Sequence, residues 1–282
     1  MKHKTPPPPS ALIDEPEQII CFVLSRRQPD GGYSFARSAP STLEDTYFAL
    51  MVMRLLSGPE PSRATSRYLS RIEPVANLGP RLLRFLTLAR RACGLDDLSR
   101  DVIRPLLALK LRFSVDQMFE QALLSRLYQT RPPHPRDVVA WLRRRSRAKF
   151  RETELVARHA VLLRLFGIRV GLDPWRRWLR AAQGQDGGFG FVPGSTSYLE
   201  GTWAALQGME ALAVNPTDPT ACEHFILRCR SADGVFGRQS QTVPSLGATF
   251  QALESLRILG EWRALDGTRS GHRESQAPAA SP

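Results

Sequence analysis

A repeated block constrains this chain more than any other feature, because a sequence that restates one supersecondary unit must bury each copy against its neighbours. Three copies align plainly: QPDGGYSFARSAPSTLEDTYFALMVMRLLSG from Gln28 to Gly58, QDGGFGFVPGSTSYLEGTWAALQGMEAL from Gln185 to Leu212, and ADGVFGRQSQTVPSLGATFQALESLRILG from Ala232 to Gly260. Each passes through an Asp-Gly turn, an aromatic and a small polar loop into a helix that carries Thr and then an aromatic near its start. With Thr46, Thr202 and Thr249 as equivalent positions, Leu82, Met118 and Leu155 fit the same slot in the middle of the chain. The intervals from Thr46 onward are then about 36, 36, 37, 47 and 47 residues, the shorter ones belonging to copies without the Asp-Gly loop. Six units result.

Each unit also supplies a preceding helix. The pattern predicts first helices near 16–27, 62–72, 97–111, 136–147, 174–183 and 218–230, and second helices near 42–57, 80–93, 115–130, 152–167, 198–214 and 245–262. Asp173-Pro174 and Asp218-Pro219 read as N-cap-plus-proline starts, and Gly58, Gly94, Gly167 and Gly260 as stops. Six pairs can close into an all-α ring, an α/α toroid (α6-α6 barrel), forming a single domain over 16–264. The second helices are the more apolar, as in FALMVMRLL and AALQGMEAL, and are expected to form the inner ring around a cavity. The first helices carry most of the arginine, as in VVAWLRRRSRAKF and PWRRWLRAAQ, so the basic charge is expected mainly outside. Residues 1–15, with four consecutive prolines, and 265–282, rich in Gly, Ser, Ala and Pro, read as disordered tails.

The Gln/Asp-Gly-Gly-aromatic loop followed by Leu-Glu-x-Thr-aromatic resembles the repeat of protein prenyltransferase β subunits and squalene or terpene cyclases. The likeness is strong over 28–58 and 175–260 and inferential over 59–174, and WLRAAQGQDGGF, Trp178 to Phe189, is similar to the cyclases' glutamine-tryptophan motif. The resemblance implies an α/α toroid that holds an isoprenoid in an aromatic-lined central cavity. It also implies places for chemistry. Where the prenyltransferases carry the Asp-x-Cys and His ligands of zinc, this chain has Glu200-Gly201-Thr202 and Ala248, so no zinc or other cofactor is expected. Where they grip diphosphate with Arg and Lys, it has Phe191 to Ser197, with Arg238 the nearest substitute. The cyclases' Asp-x-Asp-Asp-Thr acid motif is matched by Thr42-Leu43-Glu44-Asp45-Thr46, which lacks the first aspartate.

Read from the residues alone, Ser41 to Glu44, Ser197 to Glu200 and Ser114 to Gln117 are capping boxes, and the Asp-Gly loops are structural turns. Asp45, without a capping counterpart elsewhere, is an acid candidate, with Glu44 beside it. His159 stands in the inner-helix position that other units fill with Leu50, Leu86, Ala122, Leu206 and Leu253. It is a candidate acid or base, or a core histidine bonded to a carbonyl. Tyr47, Trp203 and Phe250 fall at one level of the ring, and with Thr202 and Glu200 they are the candidate cavity residues.

Composition narrows the partners. The net charge of +12 is almost wholly arginine, concentrated at Arg26-Arg27, Arg143 to Arg151 and Arg176 to Arg180. It reads as a solvated outer face or as a docking surface for an acidic protein or anionic membrane. No nucleic acid partner is expected. The four cysteines, Cys21, Cys93, Cys222 and Cys229, form no CxxC pair and are expected as buried free thiols. No signal-peptide run is present and no phosphate loop, HExxH or Ser-His-Asp signature occurs, so a soluble cytoplasmic protein is expected. The expected function is binding of an isoprenoid or similar apolar molecule, with or without a reduced prenyltransferase-like or cyclase-like activity. The alternative is a scaffold that docks through its arginine-rich outer helices.

Overall fold

The structure, a computed structural model, describes residues 13, 15–73, 78–103, 114–130, 135–145, 152–169 and 171–274. Helices α1 (Pro16–Ser25), α3 (Arg63–Arg71), α6 (Pro135–Arg145), α8 (Asp173–Ala181) and α10 (Pro219–Arg228) are the first members of pairs. Helices α2 (Leu43–Leu55), α4 (Pro80–Ala92), α5 (Val115–Leu127), α7 (Thr153–Leu165), α9 (Leu199–Ala211) and α11 (Leu246–Glu274) are the second members. The expected first helix over 97–111 is helical at 100–103, and its remainder from 104 lies outside the described residues. The segment from 146 to 151, which completes the expected arginine-rich run, also lies outside them.

The second helices close into a ring. Helix α2 packs on α4, α4 on α5, α5 on α7, α7 on α9, α9 on α11, and α11 returns to α2. Helices α1, α3, α8 and α10 pack on the outside of this ring. The sequence accounts for the arrangement through repeated starts and stops. Side-chain oxygens of Thr42, Ser62, Ser114 and Asp218 each accept a hydrogen bond from the backbone N–H three residues on, which satisfies an orphan donor of the first turn. Asp173 is already inside its helix rather than capping it, and its carboxylate pairs with Arg176 at 3.2 Å.

The helices α2, α4, α5, α7 and α9 are each 13 residues long. Each ends two residues before a residue with positive φ: Ser57, Gly94, Gln129, Gly167 and Ala213. A left-handed residue lets the chain reverse while its N–H returns to a last-turn carbonyl. The stop of α2 is therefore Ser57, one residue before Gly58. Gly260 does not stop α11, which runs on to Glu274. Arg257 bridges Glu254 and Glu261 on consecutive turns, and such i,i+3 and i,i+4 pairs offset the roughly 1 kcal/mol cost of a helical glycine.

Counted from its start, the fourth residue of every inner helix is buried: Thr46, Leu83, Met118, Val156, Thr202 and Thr249. Met118 occupies the expected slot. Leu82 and Leu155 do not, because the true slots are one residue later, facing the packed interior rather than the half-exposed side. The three threonines share one task. Each hydroxyl donates to the carbonyl four residues back, at 2.7 to 2.8 Å. Each also accepts from the backbone N–H of the loop aromatic, Tyr33, Phe189 or Phe236, at 2.9 to 3.3 Å. The aromatics are thereby seated in the core at 3% exposure or less.

The loops also join neighbouring pairs. Asp30 and Asp186 accept from Gly32 and Gly188 N–H and from Ser41 and Ser197 hydroxyls. Gly31 and Gly187, with φ of +96 and +88, lie so close to the backbone of Ala64 and Ala221 on the next outer helix that a Cβ would fall within 2.3 Å of it. Only glycine meets both demands. The last loop makes the corresponding contact, Gly234 to Gln18 of α1, and so closes the ring. A two-residue ribbon, β1 (Phe189–Gly190) against β2 (Ser197–Tyr198), is antiparallel and leads into α9. Ile13 is 5% exposed, so packing begins before α1.

Candidate functional site

The ring encloses a cavity of about 610 Å³. Its lining follows a simple rule: the fifth and sixth residues of all six inner helices reach it. These are Tyr47 and Phe48, Arg84 and Phe85, Phe119 and Glu120, Ala157 and Arg158, Trp203 and Ala204, and Phe250 and Gln251. With the fourth residue of each helix anchored in the ring's packing, the next two turn toward the axis. Because outer helices return the chain between them, the inner helices run parallel. The mouth lies at their N-terminal rim, where Arg81, Thr153, Glu154, Glu200 and Gly201 of the first turns and Phe191, Tyr198 and Arg238 of the loops contribute.

One side of the cavity is aromatic and continuous. The rings of Tyr47 and Phe85 stack at 4.1 Å and 7°. Phe250 meets Tyr47 edge-on at 5.9 Å and Trp203 edge-on at 6.0 Å. This wall spans four consecutive members of the ring, α4, α2, α11 and α9. Edge-on and offset contacts of this kind contribute about 0.5–1.5 kcal/mol per pair beyond area. Burial pushes the Tyr47 phenol above its ordinary value, and the nearby Arg84 guanidinium only partly offsets this, so the hydroxyl stays protonated at neutral pH.

The other side is charged, and its charges are matched. Arg84 Nε and Nη2 donate to Glu120 Oε2 and Oε1 at 2.6 and 3.1 Å, with side chains only 14% and 11% exposed. Burial works against the Arg84 cation, yet the bonds and charge of Glu120 overcome it and hold its pKa above the usual arginine value. Arg81 pairs with Glu44, Arg158 with both Asp116 and Glu154, and Arg238 with Glu200 at 2.7 Å. Each of these arginines also lies over an aromatic ring: Arg81 and Arg84 over Phe85, Arg158 over Phe119, and Arg238 over Tyr198. Glu44, Asp116, Glu154 and Glu200 stand in first turns, where they complement the positive ends of the helices. The Arg81–Glu44, Arg84–Glu120 and Arg158–Asp116 pairs link neighbouring inner helices, and Arg238 ties the last loop to α9.

Several expected site residues come together here and others do not. Tyr47, Trp203, Phe250, Glu200 and Arg238 line the cavity. Thr202 does not, because its hydroxyl is committed to the Phe189 N–H and the Tyr198 carbonyl behind the wall. Asp45 is committed to the cap of α2: its carboxylate receives the Thr42 hydroxyl at 2.8 Å while its own N–H donates back to Thr42 Oγ1 at 2.9 Å. The cap of α2 is therefore Thr42, one residue later than the expected Ser41, and Glu44 is free to pair with Arg81. Ser197 and Glu200 form no box either, since Ser197 bonds Asp186. Ser114 does cap through the Gln117 N–H at 3.2 Å. His159 faces outward, stacked on Trp141 of α6 at 5.3 Å and tilted against Trp175 of α8, with Nδ1 2.7 Å from the Leu155 carbonyl. It is a core histidine, away from the cavity.

The expectation that basic charge sits mainly outside is corrected at Arg81, Arg84 and Arg158, which come from inner helices. The signal was their place in the helix: second, fifth and sixth residues point to the rim and the axis, however apolar the helix as a whole. The loop position held by Arg238 is held in the other two loops by Phe35 and Phe191, which are 61% and 56% exposed. Cys222 and Cys229 are buried, Cys93 is half-buried, and Cys21 is exposed on α1 rather than buried.

Zinc does not fit this donor set. Of the corresponding positions, Thr202 spends its hydroxyl on the backbone, Ala248 offers no donor, and Glu200 is salt-bridged to Arg238. A single engaged carboxylate cannot supply the converging nitrogen, sulfur or oxygen ligands zinc requires. No group of three or more His, Cys, Asp and Glu able to hold a metal occurs among the described residues. No helix among them is long and apolar enough to cross a membrane.

The family model of the prenyltransferase alpha-alpha toroid domain matches residues 10–76 and 160–277, about two thirds of the chain. The unmatched middle contains the units that lack the Asp-Gly loop, and α4 and α5 nevertheless complete the ring. No curated protein matches the chain.

Proposed function

Because the chain belongs to the prenyltransferase alpha-alpha toroid family, we propose that its central cavity is the receptor for an isoprenoid or a similar long apolar molecule. The observation that carries this reading is the continuous wall of Phe85, Tyr47, Phe250 and Trp203 around a cavity of about 610 Å³. That volume falls within the roughly 300–1,000 Å³ of small-molecule sites, and stacked aromatic faces give an unsaturated chain area and polarisability without demanding hydrogen bonds. Binding such a chain does not require a metal, and the donor set here is not that of the zinc prenyltransferases. Acid catalysis through Asp45, Glu44 or His159 has less support, since none of the three lines the cavity. Phe191 at the mouth offers an apolar entry.

Native mass spectrometry of the purified full chain tests the proposal. A bound mass that dissociates as an apolar small molecule, and that is lost when Ala204→Trp fills the wall side of the cavity, is the expected result. A chain that purifies without such a mass and takes up no polyprene on incubation would contradict it.

A further inference from the structure

Among the described residues the exposed large apolar side chains are Leu24, Phe35, Phe191 and Val243, and the last three are the most exposed, at 61%, 56% and 83%. All three stand on the Asp-Gly loops. Between its seated aromatic and the helix start, each loop has an arm of eight residues: 34–41, 190–197 and 237–244. Phe35 and Phe191 hold the second position of their arms, where the third arm has Arg238, and Val243 holds the seventh.

The arms lie at the cavity mouth. The carbonyls of Phe191 and Arg238 accept the backbone N–H of Thr153 and Leu199, the first residues of α7 and α9, at 2.8 and 3.0 Å, and both residues line the cavity. The first arm is tied to the start of α2, where Thr42 donates its backbone N–H to the Tyr33 carbonyl at 3.0 Å. Because the inner helices run parallel, these starts share one rim. The arms lead into α2, α9 and α11, the helices that carry Tyr47, Trp203 and Phe250, whereas the middle units, which supply Arg84, Glu120 and Arg158, have no such loop. The exposed apolar side chains therefore stand on the aromatic wall's side of the mouth. Scattered exposed apolar residues are ordinary, but a group gathered on one rim beside an apolar cavity marks a contact surface.

Charge selects the partner. Across the three arms the charged residues are Arg37 and Arg238, with no Asp or Glu. Arg37 is exposed, and the Arg238 side chain is 60% exposed although bonded to Glu200. We infer that the arms dock the cavity mouth on the surface of a lipid bilayer containing anionic lipid, from which the apolar chain enters. The inference rests on the reading of the cavity as a receptor for an apolar chain, since such a chain partitions into lipid rather than water. Phe35, Phe191 and Val243 enter the boundary between head groups and acyl chains, while Arg37 and Arg238 meet head-group phosphates. The contact is with one leaflet and requires no spanning helix.

The test is vesicle flotation of the full chain, with vesicles of equal parts phosphatidylcholine and phosphatidylglycerol and with phosphatidylcholine alone. The chain is expected to float with the mixed vesicles and to bind phosphatidylcholine alone about tenfold less tightly, two arginines beside an anionic surface being worth at least that factor. Phe35→Ser combined with Val243→Ser should weaken binding to the mixed vesicles about tenfold or more. Neither side chain lines the cavity, so uptake of a polyprene added without vesicles should be unchanged, which also establishes that the variant is folded. Arg67→Glu combined with Arg177→Glu, on outer helices α3 and α8, should leave flotation nearly unchanged. Failure to float, or flotation that survives the Phe35 and Val243 substitutions, would overturn the inference and leave the cavity reading standing. If the chain does not float and those two substitutions instead abolish self-association, the arms belong to an interface between copies, which also overturns it. A chain that floats as expected but takes up no polyprene would contradict the cavity reading, and with it the delivery of a ligand from the bilayer.

Discussion

Glu120→Gln probes the matched charge in the cavity most sharply. The wild-type pair is bidentate, at 2.6 and 3.1 Å, and both side chains are nearly buried, at 14% and 11% exposure. Solvent therefore screens it little. Removing one partner of a buried pair leaves the other charge uncompensated and costs about 3–5 kcal/mol. The retained amide oxygen of Gln keeps one bond to Arg84, and the residual exposure lets water reach the cation, so about 2–3 kcal/mol is expected. In thermal denaturation this corresponds to a Tm lowered by roughly 5–10 °C. The same substitution releases the Arg84 guanidinium toward the cavity, and farnesyl diphosphate should gain about tenfold or more in affinity from one new charge-assisted contact. A loss below about 0.5 kcal/mol, the range of ordinary surface substitutions, with no gain in diphosphate binding would refute the reasoning.

Other consequences are equally concrete. Ala213 ends α9 in the left-handed conformation at φ 53 without a polar side chain to support it, so Ala213→Gly should stabilise the fold by about 0.5–1 kcal/mol, whereas Gly167→Ala at the same place after α7 should destabilise it by a similar amount. Urea denaturation reads both signs. Burial raises the Cys229 thiol to about 11 and Cys222 further still, so at pH 8 a disulfide reagent should modify exposed Cys21 first and leave those two intact until the chain unfolds. Burial also raises the Glu210 carboxyl, partly offset by Arg257. A folded pKa above the unfolded one means stability is lost as pH rises through that range, so Glu210→Gln should raise Tm at pH 7 and lose that advantage at pH 4.

What the sequence made legible follows from what repeats and what does not. Thr46, Thr202 and Thr249 recur with their loop aromatics because one hydrogen-bonded arrangement seats each pair, and a recurring arrangement leaves a recurring pattern. Tyr47, Trp203 and Phe250 inherit their common level from it. In the middle units the anchor is an ordinary apolar residue, and apolar neighbours do not mark the face: Leu82 stood in for Leu83 and Leu155 for Val156. Displacing that register by one also placed His159 among ring leucines, whereas it belongs with Ala49, Leu86, Gln121, Ala205 and Ala252, which are buried on the seventh positions of the other inner helices. Arg84 and Glu120 are 36 residues apart, and a pair joined across two helices leaves no local spacing to read. Asp45 looked unemployed because Thr42, not Ser41, is the cap.

The central claim is that the fifth and sixth residues of the inner helices surround an apolar chain. Photolabelling with a diazirine-bearing isoprenoid, followed by peptide mapping, tests it most directly. The account predicts adducts on the peptides carrying Phe85, Trp203 and Phe250, suppressed by excess unlabelled farnesol. Labelling confined to outer helices such as α1 and α8, or insensitive to farnesol, would contradict it.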